Sequence, residues 1–116
     1  MKYSKLEQIP SKLSHGKIEK KVMLKQGDAS KLRMFNWAKV KPGESIESHE
    51  HENMYEIFYG LSGKLKFKVN RKIINFEKGD CLTLKPGEKH ELSNPYKENA
   101  IFLCYGIAID VDDIRF

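Results

Sequence analysis

The sequence contains only two cysteines, few histidines and no long apolar run. Cys81 and Cys104 lie far apart and outside any C-x-x-C spacing, so we interpret both as reduced core thiols rather than as a disulfide or metal ligands. No apolar run approaches the length of a membrane span, and the lysine-rich start lacks the apolar segment of a signal peptide. These absences argue against a transmembrane protein and a disulfide-stabilised secreted domain. They predict a cytoplasmic protein without a membrane partner.

Arginine is also scarce, and the excess positive charge is confined to one end of the chain. Lysine outnumbers arginine 18 to 3, and the formal net charge is +5. Residues 1–26 contain seven lysines against Glu7 and Glu19, whereas the remainder contains 14 basic and 14 acidic residues. No basic run is interleaved with aromatic residues, as it would be on a stacking surface for nucleic acid. We therefore interpret residues 1–26 as a solvated basic arm and predict no nucleic-acid partner.

Short apolar segments separated by turn signals make up most of the chain. The 116 residues, 40% hydrophobic and 32% charged, suffice for one domain with one core. Residues 1–16 predict an extended lead or short strand, because Pro10 and Gly16 interrupt them. Period-two alternation and turn residues predict strands at 18–24, 32–40, 55–61, 64–69, 73–76, 82–84, 90–94 and 100–109. Strands this short and frequent predict an all-β barrel or a two-sheet sandwich.

Two of these strands are apolar on both faces. In the strand at 32–40, Phe35 and Trp37 alternate with residues that suit a core, so they are candidates for a subunit interface; coverage by the N-terminal arm is the alternative. The run at 100–109 predicts a central strand, and its two apolar faces favour a homodimer. We expect residues 1–26 to add an arm or strand to the barrel or the dimer, and residues 27–116 to form the barrel. The acidic tail at 110–113 predicts a solvated end.

Two histidines one residue apart dominate the middle of the chain. On a β-strand, residues i and i+2 point to the same face, so His49 and His51 can meet one ion together. Glu50 and Glu52 point to the opposite face and are poor candidates for that ion. A turn or bulge around residues 52–54 would reset this parity for the residues that follow.

A carboxylate and a third histidine complete a candidate metal site. Glu56 lies at an odd offset from His51, so a turn at 52–54 would bring its carboxylate to the same side as the imidazoles. His90 follows the turn signal Pro86–Gly87. Three imidazoles and one carboxylate suit a divalent transition metal. The fourth histidine, His15, lies away from these residues in sequence, and we interpret it as an exposed loop histidine.

The spacing of these residues resembles the two motifs of the cupin superfamily. The first motif has the pattern G-x5-H-x-H-x4-E-x6-G. Its fixed positions in this chain are Gly43, His49, His51, Glu56 and Gly63. The second has glycine, five residues, a proline–glycine turn, histidine and asparagine, which here are Gly79, Lys85, Pro86, Gly87, His90 and Asn94. Lysine at position 85 departs from the family pattern, which has proline there. Because Pro86 follows directly, we expect a local change in the turn and no change in the register of the histidine.

The resemblance implies a fold, a ligand set and a range of activities. The implied fold is a single-domain jelly-roll β-barrel, the double-stranded β-helix of cupins, and a homodimer is common in such proteins. The implied ligands of one divalent transition metal (Mn, Fe, Ni, Zn, Co or Cu) per chain are His49, His51, Glu56 and His90. Family analogy offers dioxygenase, decarboxylase and isomerase activities without choosing among them.

Two classes of function follow. Four protein ligands leave one or two positions open on a five- or six-coordinate metal, which favours a small metalloenzyme acting on a small polar or metal-chelating substrate. Neither motif has an arginine nearby that could clamp a carboxylate or phosphate through two hydrogen bonds. No second carboxylate has an evident inward position from which it could act as a general base. The alternative is a non-catalytic, metal-dependent module that binds or senses a small molecule.

Overall fold

A computed structural model describes residues 1–109, which form one 3-10 helix (Leu6–Gln8) and ten β-strands. The predicted solvated end at 110–113 lies outside the described residues. None of the helices among residues 1–109 is long and apolar enough to cross a bilayer. The strands are β1 (Lys12–Ser14), β2 (Ile18–Lys25), β3 (Leu32–Val40), β4 (Ser45–His49), β5 (Met54–Ser62), β6 (Lys64–Val69), β7 (Lys72–Glu77), β8 (Cys81–Leu84), β9 (His90–Ser93) and β10 (Ala100–Ala108).

The strands form two separate antiparallel sheets. One sheet has six strands in the order β1-β2-β3-β10-β5-β8, and the other has four in the order β4-β9-β6-β7. Strand β10 pairs with β3 on one side and β5 on the other, which confirms the prediction of a central last strand. The all-β prediction is therefore confirmed, with the two sheets stacked as a sandwich.

Period-two alternation builds the core between the sheets. In β6, Leu65, Phe67 and Val69 are buried while the three lysines between them are exposed. Asn70 adopts a positive φ of 55° after this strand, a conformation that asparagine tolerates in turns. Phe58 of the six-stranded sheet packs edge-on against Phe67 of the other sheet, with ring centroids 4.9 Å apart. The two sheets are therefore joined by an aromatic contact within the core.

The basic N-terminal segment contributes strands to the six-stranded sheet. Strand β1 pairs with β2, and β2 pairs with β3. Within β2, Lys20 lies opposite Ala38, whose side chain is buried in the core. Because side chains alternate along a strand, Lys20 occupies the face of β2 that carries the buried Ile18. One lysine of the arm thus lies on the inner side of the sandwich.

Two predictions about buried residues are wrong. Cys81 is exposed, at the start of the edge strand β8, and only Cys104 is a core thiol; both are free. The apolar residues Ile73, Ile74 and Phe76 predict a buried strand at 73–76, but Ile73 is 54% exposed and only Phe76 is buried. Both exposed residues point to the outer face of their sheets, where Cys81 pairs with the exposed Tyr59 and Ile73 pairs with the exposed Lys68. Leu84 and Phe76 of the same two strands face the core and are buried.

Candidate metal centre

Strand pairing brings two histidines together at one end of the sandwich. His49 is the last residue of β4, His90 is the first residue of β9, and the two are partners in the antiparallel register. Their ring centroids lie 4.3 Å apart. Two imidazoles from different motifs of the sequence therefore lie side by side on neighbouring strands of the four-stranded sheet.

His51 reaches the same place from a loop rather than from a strand. Strand β4 ends at His49, so the prediction that both histidines lie on one strand is wrong in detail. The backbone N–H of Gly87 donates a hydrogen bond of 2.8 Å to the His51 carbonyl, which ties this loop to the turn of the second motif. The His51 ring centroid lies 5.2 Å from that of His49 and 5.8 Å from that of His90. The three imidazoles thus form one cluster.

Glu56 completes the cluster from the opposite sheet. The chain bends at residues 52–53 before β5 begins at Met54, as the parity argument requires, and the Glu56 side chain is buried. Its Oε1 lies 2.9 Å from His90 Nε2, and its Oε2 lies 3.4 Å from His51 Nε2. Glu50 and Glu52 are exposed. One ligand atom from each of His49, His51, Glu56 and His90 lies within 4.8 Å of the other three.

Backbone carbonyls orient two of the imidazoles. His49 Nδ1 donates to the Glu47 carbonyl at 2.8 Å, and His90 Nδ1 donates to the Glu88 carbonyl at 3.0 Å. Because a carbonyl oxygen only accepts, each Nδ1 carries a proton, and a neutral ring then keeps a lone pair on Nε2. Such bonds hold a histidine ready for a metal.

The innermost atoms of the cluster have no conventional hydrogen-bond partner. Glu56 Oε1 and His90 Nε2 are both buried and, despite their 2.9 Å separation, do not meet the geometry of a hydrogen bond to each other or to another group of residues 1–109. An unsatisfied buried polar group costs about 1–3 kcal/mol. A carboxylate oxygen and an imidazole nitrogen directed at one point form a donor set that fits a divalent transition metal.

Burial and neighbouring charges shift two of the imidazoles in opposite directions. Burial, together with the other histidines, lowers the pKa of His51 below 6.5 although Glu56 opposes this effect. For His90, burial also favours the neutral ring, but the Glu56 carboxylate and the Glu88 carbonyl outweigh it and raise the pKa above 6.5. His51 therefore favours the neutral form, whereas the contact with Glu56 favours the protonated form of His90.

The cluster opens into a small cavity of about 160 Å³. Apolar core residues such as Phe58 and Leu92 line it, and polar groups line the rest: Ser14, His15, Lys20, Asn36 and Cys104. Burial, followed by the nearby Glu56, raises the pKa of the Cys104 thiol well above its usual range, so Cys104 contributes a neutral thiol.

The sequence indicated that His15 lies away from the site, but the structure places it beside the cluster. It is exposed, as predicted, but its ring centroid lies 5.3 Å from that of His49, at the mouth of the cavity. Lys20 and Asn36 also line this cavity and were not predicted as site residues from the sequence. The signal for Lys20 was its place between Ile18 and Val22 in a period-two pattern, where an apolar residue is expected.

A second concavity does not compete with this cluster. It is an open groove of about 630 Å³ that includes Arg71, Leu84 and Glu88. Within residues 1–109, the four-residue cluster at His49 is the only group of three or more histidine, cysteine, aspartate or glutamate side chains able to hold a metal. The chemistry of the described part of the chain is therefore concentrated in the smaller cavity.

Comparison with known proteins agrees with this geometry. Residues 36–106, more than half of the chain, match the family model of the cupin domain. An oxalate-binding protein of Thermotoga maritima is 33% identical over 90 residues, which are 77% of this chain and 74% of the relative. The likeness thus spans both motifs of the sequence.

Solved structures show the same fold. The crystal structure of a predicted oxalate decarboxylase from Thermotoga maritima superposes with a TM-score of 0.86 at 28% identity, covering 93% of this chain and 100% of the other. The cupin domain of Cnp3 from Schizosaccharomyces pombe superposes with a TM-score of 0.80 at 14% identity, covering 96% of this chain and 77% of the other, which shows a common fold alone. The predicted jelly roll, a double-stranded β-helix, is confirmed.

Proposed function

We propose a function for this chain, which belongs to the cupin family: it holds one divalent transition metal and, on that metal, a small chelating acid. The proposed ligands are His49, His51, Glu56 and His90. The observation that carries the proposal is the pair of buried, unsatisfied atoms Glu56 Oε1 and His90 Nε2 beside two further imidazoles. A cation at their common point would satisfy both atoms and neutralise the buried carboxylate.

Oxalate is the proposed ligand of first choice. The Thermotoga maritima relative is an oxalate-binding protein, and it is 33% identical to this chain over 90 residues. A dicarboxylic acid of two carbons chelates through two oxygens, which matches the one or two positions that four protein ligands leave open. The cavity of about 160 Å³ accommodates an acid of this size.

This chain's own residues would prepare the site before the acid arrives. The Glu47 and Glu88 carbonyls hold the Nε2 atoms of His49 and His90 in place. Phe58 and the other apolar wall residues exclude water, which strengthens charge interactions within the cavity. When bound, the metal would supply Lewis acidity and the open coordination positions. The donor set accepts Mn, Fe, Co, Ni, Cu or Zn.

Turnover of the bound acid is a second candidate function. In this version the protein is a small metalloenzyme of the decarboxylase, dioxygenase or isomerase type. The observation in its favour is His15, which lies beside the cluster at the exposed mouth and offers a group that can carry a proton. Against it, Glu56 is the only carboxylate among the described cavity-lining residues, so a separate acidic general base is absent there.

Metal content and ligand binding together test the proposal. Elemental mass spectrometry of protein purified without an affinity tag should find about one equivalent of a transition metal per chain, and His49→Ala should lose it. Calorimetry should then detect oxalate binding to the metal-loaded protein, and much weaker binding of acetate, which cannot chelate through two carboxylates. No metal after purification and reconstitution would refute the proposal. Following ¹³C-labelled oxalate by NMR separates the two versions, because an unchanged signal assigns binding without turnover.

We also propose that two copies associate through the outer face of the six-stranded sheet. Outward residues of β10 lie beside apolar outward residues of its neighbours: Leu103 pairs with Trp37 on one side and with Tyr59 on the other. Tyr105 packs edge-on against Phe35, with centroids 5.8 Å apart. A second copy would present the same aromatic patch, as a two-fold interface requires. Charged groups flank this patch: Lys21 Nζ lies 5.7 Å from the Trp37 ring centroid, and Lys39 pairs with Glu19 at 3.4 Å. Light scattering on the wild type and on Leu103→Lys tests this, and a monomeric wild type would refute it.

Cytoplasmic localisation is proposed on the chemistry of the cysteines. Both cysteines are free, and Cys81 is exposed. Exposed free thiols persist in a reducing compartment and are oxidised outside it. Fractionation of the native cells, with detection of the untagged protein, tests this proposal.

A further inference from the structure

We propose that Lys20 and Asn36 form an acid-anchoring subsite in the cavity, where they hold the part of the ligand that points away from the metal. This inference rests on the proposed function and deepens it, since it identifies the ligand class. Both residues line the same cavity as the four candidate metal ligands. Neither belongs to the two sequence motifs.

Lys20 is a cation on the inner face of the sheet without an anionic partner. It shares this face of β2 with the buried Ile18 and lies opposite the buried Ala38. Within residues 1–109, no carboxylate lies within ion-pair distance of Lys20. Its neighbours differ: Lys39 pairs with Glu19 at 3.4 Å, and Lys21 Nζ donates to the Leu6 carbonyl at 3.0 Å. Among these three lysines, Lys20 is therefore the one whose charge can interact with a ligand in the cavity.

Asn36 places an unsatisfied amide in the same cavity. The residue is 8% exposed, and its Oδ1 has no hydrogen-bond partner among the described residues. It lies between Val22 of β2 and Cys104 of β10, so the sheet itself offers no polar side chain as a strong partner. An amide side chain carries both an acceptor and a donor end. The unpartnered Oδ1 accepts, so a ligand hydroxyl or protonated carboxyl would satisfy it, whereas a carboxylate would accept from the amide Nδ2.

The cavity volume limits the size of the ligand. About 160 Å³ equals the share of roughly five waters in the liquid. That space fits an acid of two to four carbons with a second oxygen function, such as a dicarboxylic, 2-oxo or 2-hydroxy acid. A cationic Lys20, a polar amide at Asn36 and a bound metal all favour an anion over a neutral molecule. The subsite thus selects small acids that have one end for the metal and another for the anchor.

Paired lysine variants test the anchor. Lys20→Met and Lys21→Met each remove one charge from adjacent positions of β2, but only Lys20 lines the cavity. In metal-loaded full-length protein, calorimetry should show at least a tenfold higher Kd for oxalate in Lys20→Met and an unchanged Kd in Lys21→Met. Metal content, measured on the same samples, should equal that of the wild type in both variants.

Asn36→Leu provides a second, independent measurement. Leucine has a similar size and no polar atom, so without ligand this variant should melt about 4 °C higher than the wild type, because an unsatisfied buried amide destabilises the fold. It should also raise the Kd for oxalate. A structural role for Asn36 in the apo fold would instead lower the melting temperature.

The outcomes separate the subsite from the proposed function. Equal Kd values for the wild type and Lys20→Met, with metal present in both, would overturn the subsite and leave metal-dependent binding intact. A wild type that takes up no metal would overturn the proposed function and, with it, this inference. The anchor would be supported if the affinity for oxalate fell tenfold in Lys20→Met but not in Lys21→Met, and if Asn36→Leu were more stable than the wild type and bound oxalate weakly.

Discussion

The Glu56 carboxylate lies 2.9 Å from the His90 imidazole, although the two residues belong to different sheets. Glu56 comes from β5, between β10 and the edge strand β8 of the six-stranded sheet, and His90 begins the second strand of the four-stranded one. An ion held between them would therefore link the two sheets directly. Metal binding and the stability of the sandwich should be coupled for this reason.

Removal of the metal should lower the melting temperature. A ligand that binds only the folded state stabilises it by about 2.7 kcal/mol when its free concentration is 100 times its Kd. Protein treated with a chelator and dialysed should melt several degrees below the metal-loaded protein, while keeping its β-sheet circular dichroism. Re-addition of the metal should restore the higher value. Identical melting curves before and after chelation would contradict a site between the sheets.

Glu56→Gln should abolish tight metal binding without unfolding the protein. The change keeps the size of the side chain and removes the charge that neutralises the metal, so we expect a loss of metal affinity of at least tenfold. Glu52→Gln, at an exposed position of the adjoining loop, is the matched control and should retain its metal. Elemental analysis of both purified variants is the measurement. Equal metal content in the two would show that Glu56 is not a ligand.

In metal-free protein, His90 and His51 should titrate on opposite sides of pH 6.5. The raised pKa of His90 means that its contribution to stability is present below pH 6.5 and is lost as the pH rises through its folded value. The lowered pKa of His51 has the opposite sign: its contribution is present above pH 6.5 and is lost on acidification through its folded value. NMR titration of the imidazole protons measures both. Glu56→Gln should lower the pKa of His90, and an unchanged value would contradict the proposed contact.

Gly63→Ala should destabilise the fold far more than Gly43→Ala. Both glycines have positive φ, +74° and +83°, so alanine is strained at either position by about 1 kcal/mol. At Gly63 a Cβ would also meet the Asn99 carbonyl and lie 2.7 Å from the Ala100 Cα, whereas at Gly43 nothing lies within 4 Å. We expect a loss of about 3 kcal/mol or more for Gly63→Ala, because backbone atoms must move. Urea unfolding of the two variants compares them, and equal losses would contradict the close approach.

The strands were the part of the fold that local pattern predicted well. Alternation in β6 matches its burial residue by residue, and the all-apolar run of β10 marks a strand with neighbours on both sides. Composition alone is a poor guide to burial within these strands, however. Cys81 and Ile73 have the composition of core residues, but each points to the outer face of its sheet and is exposed.

The sequence by itself determined the family, the all-β fold and the four candidate ligands. Spacing along the chain controls the face to which a side chain points on a strand, and a turn can return a later residue to that same face. Only the tertiary structure decided what shares the cavity with those ligands. Lys20, Asn36 and His15 come from strands and turns remote in sequence from the two motifs, and they meet the cluster because β2 and β3 cover it. Spacing contains no information about contacts between strands that are distant in the chain, so the pairing of the sheets had to supply it.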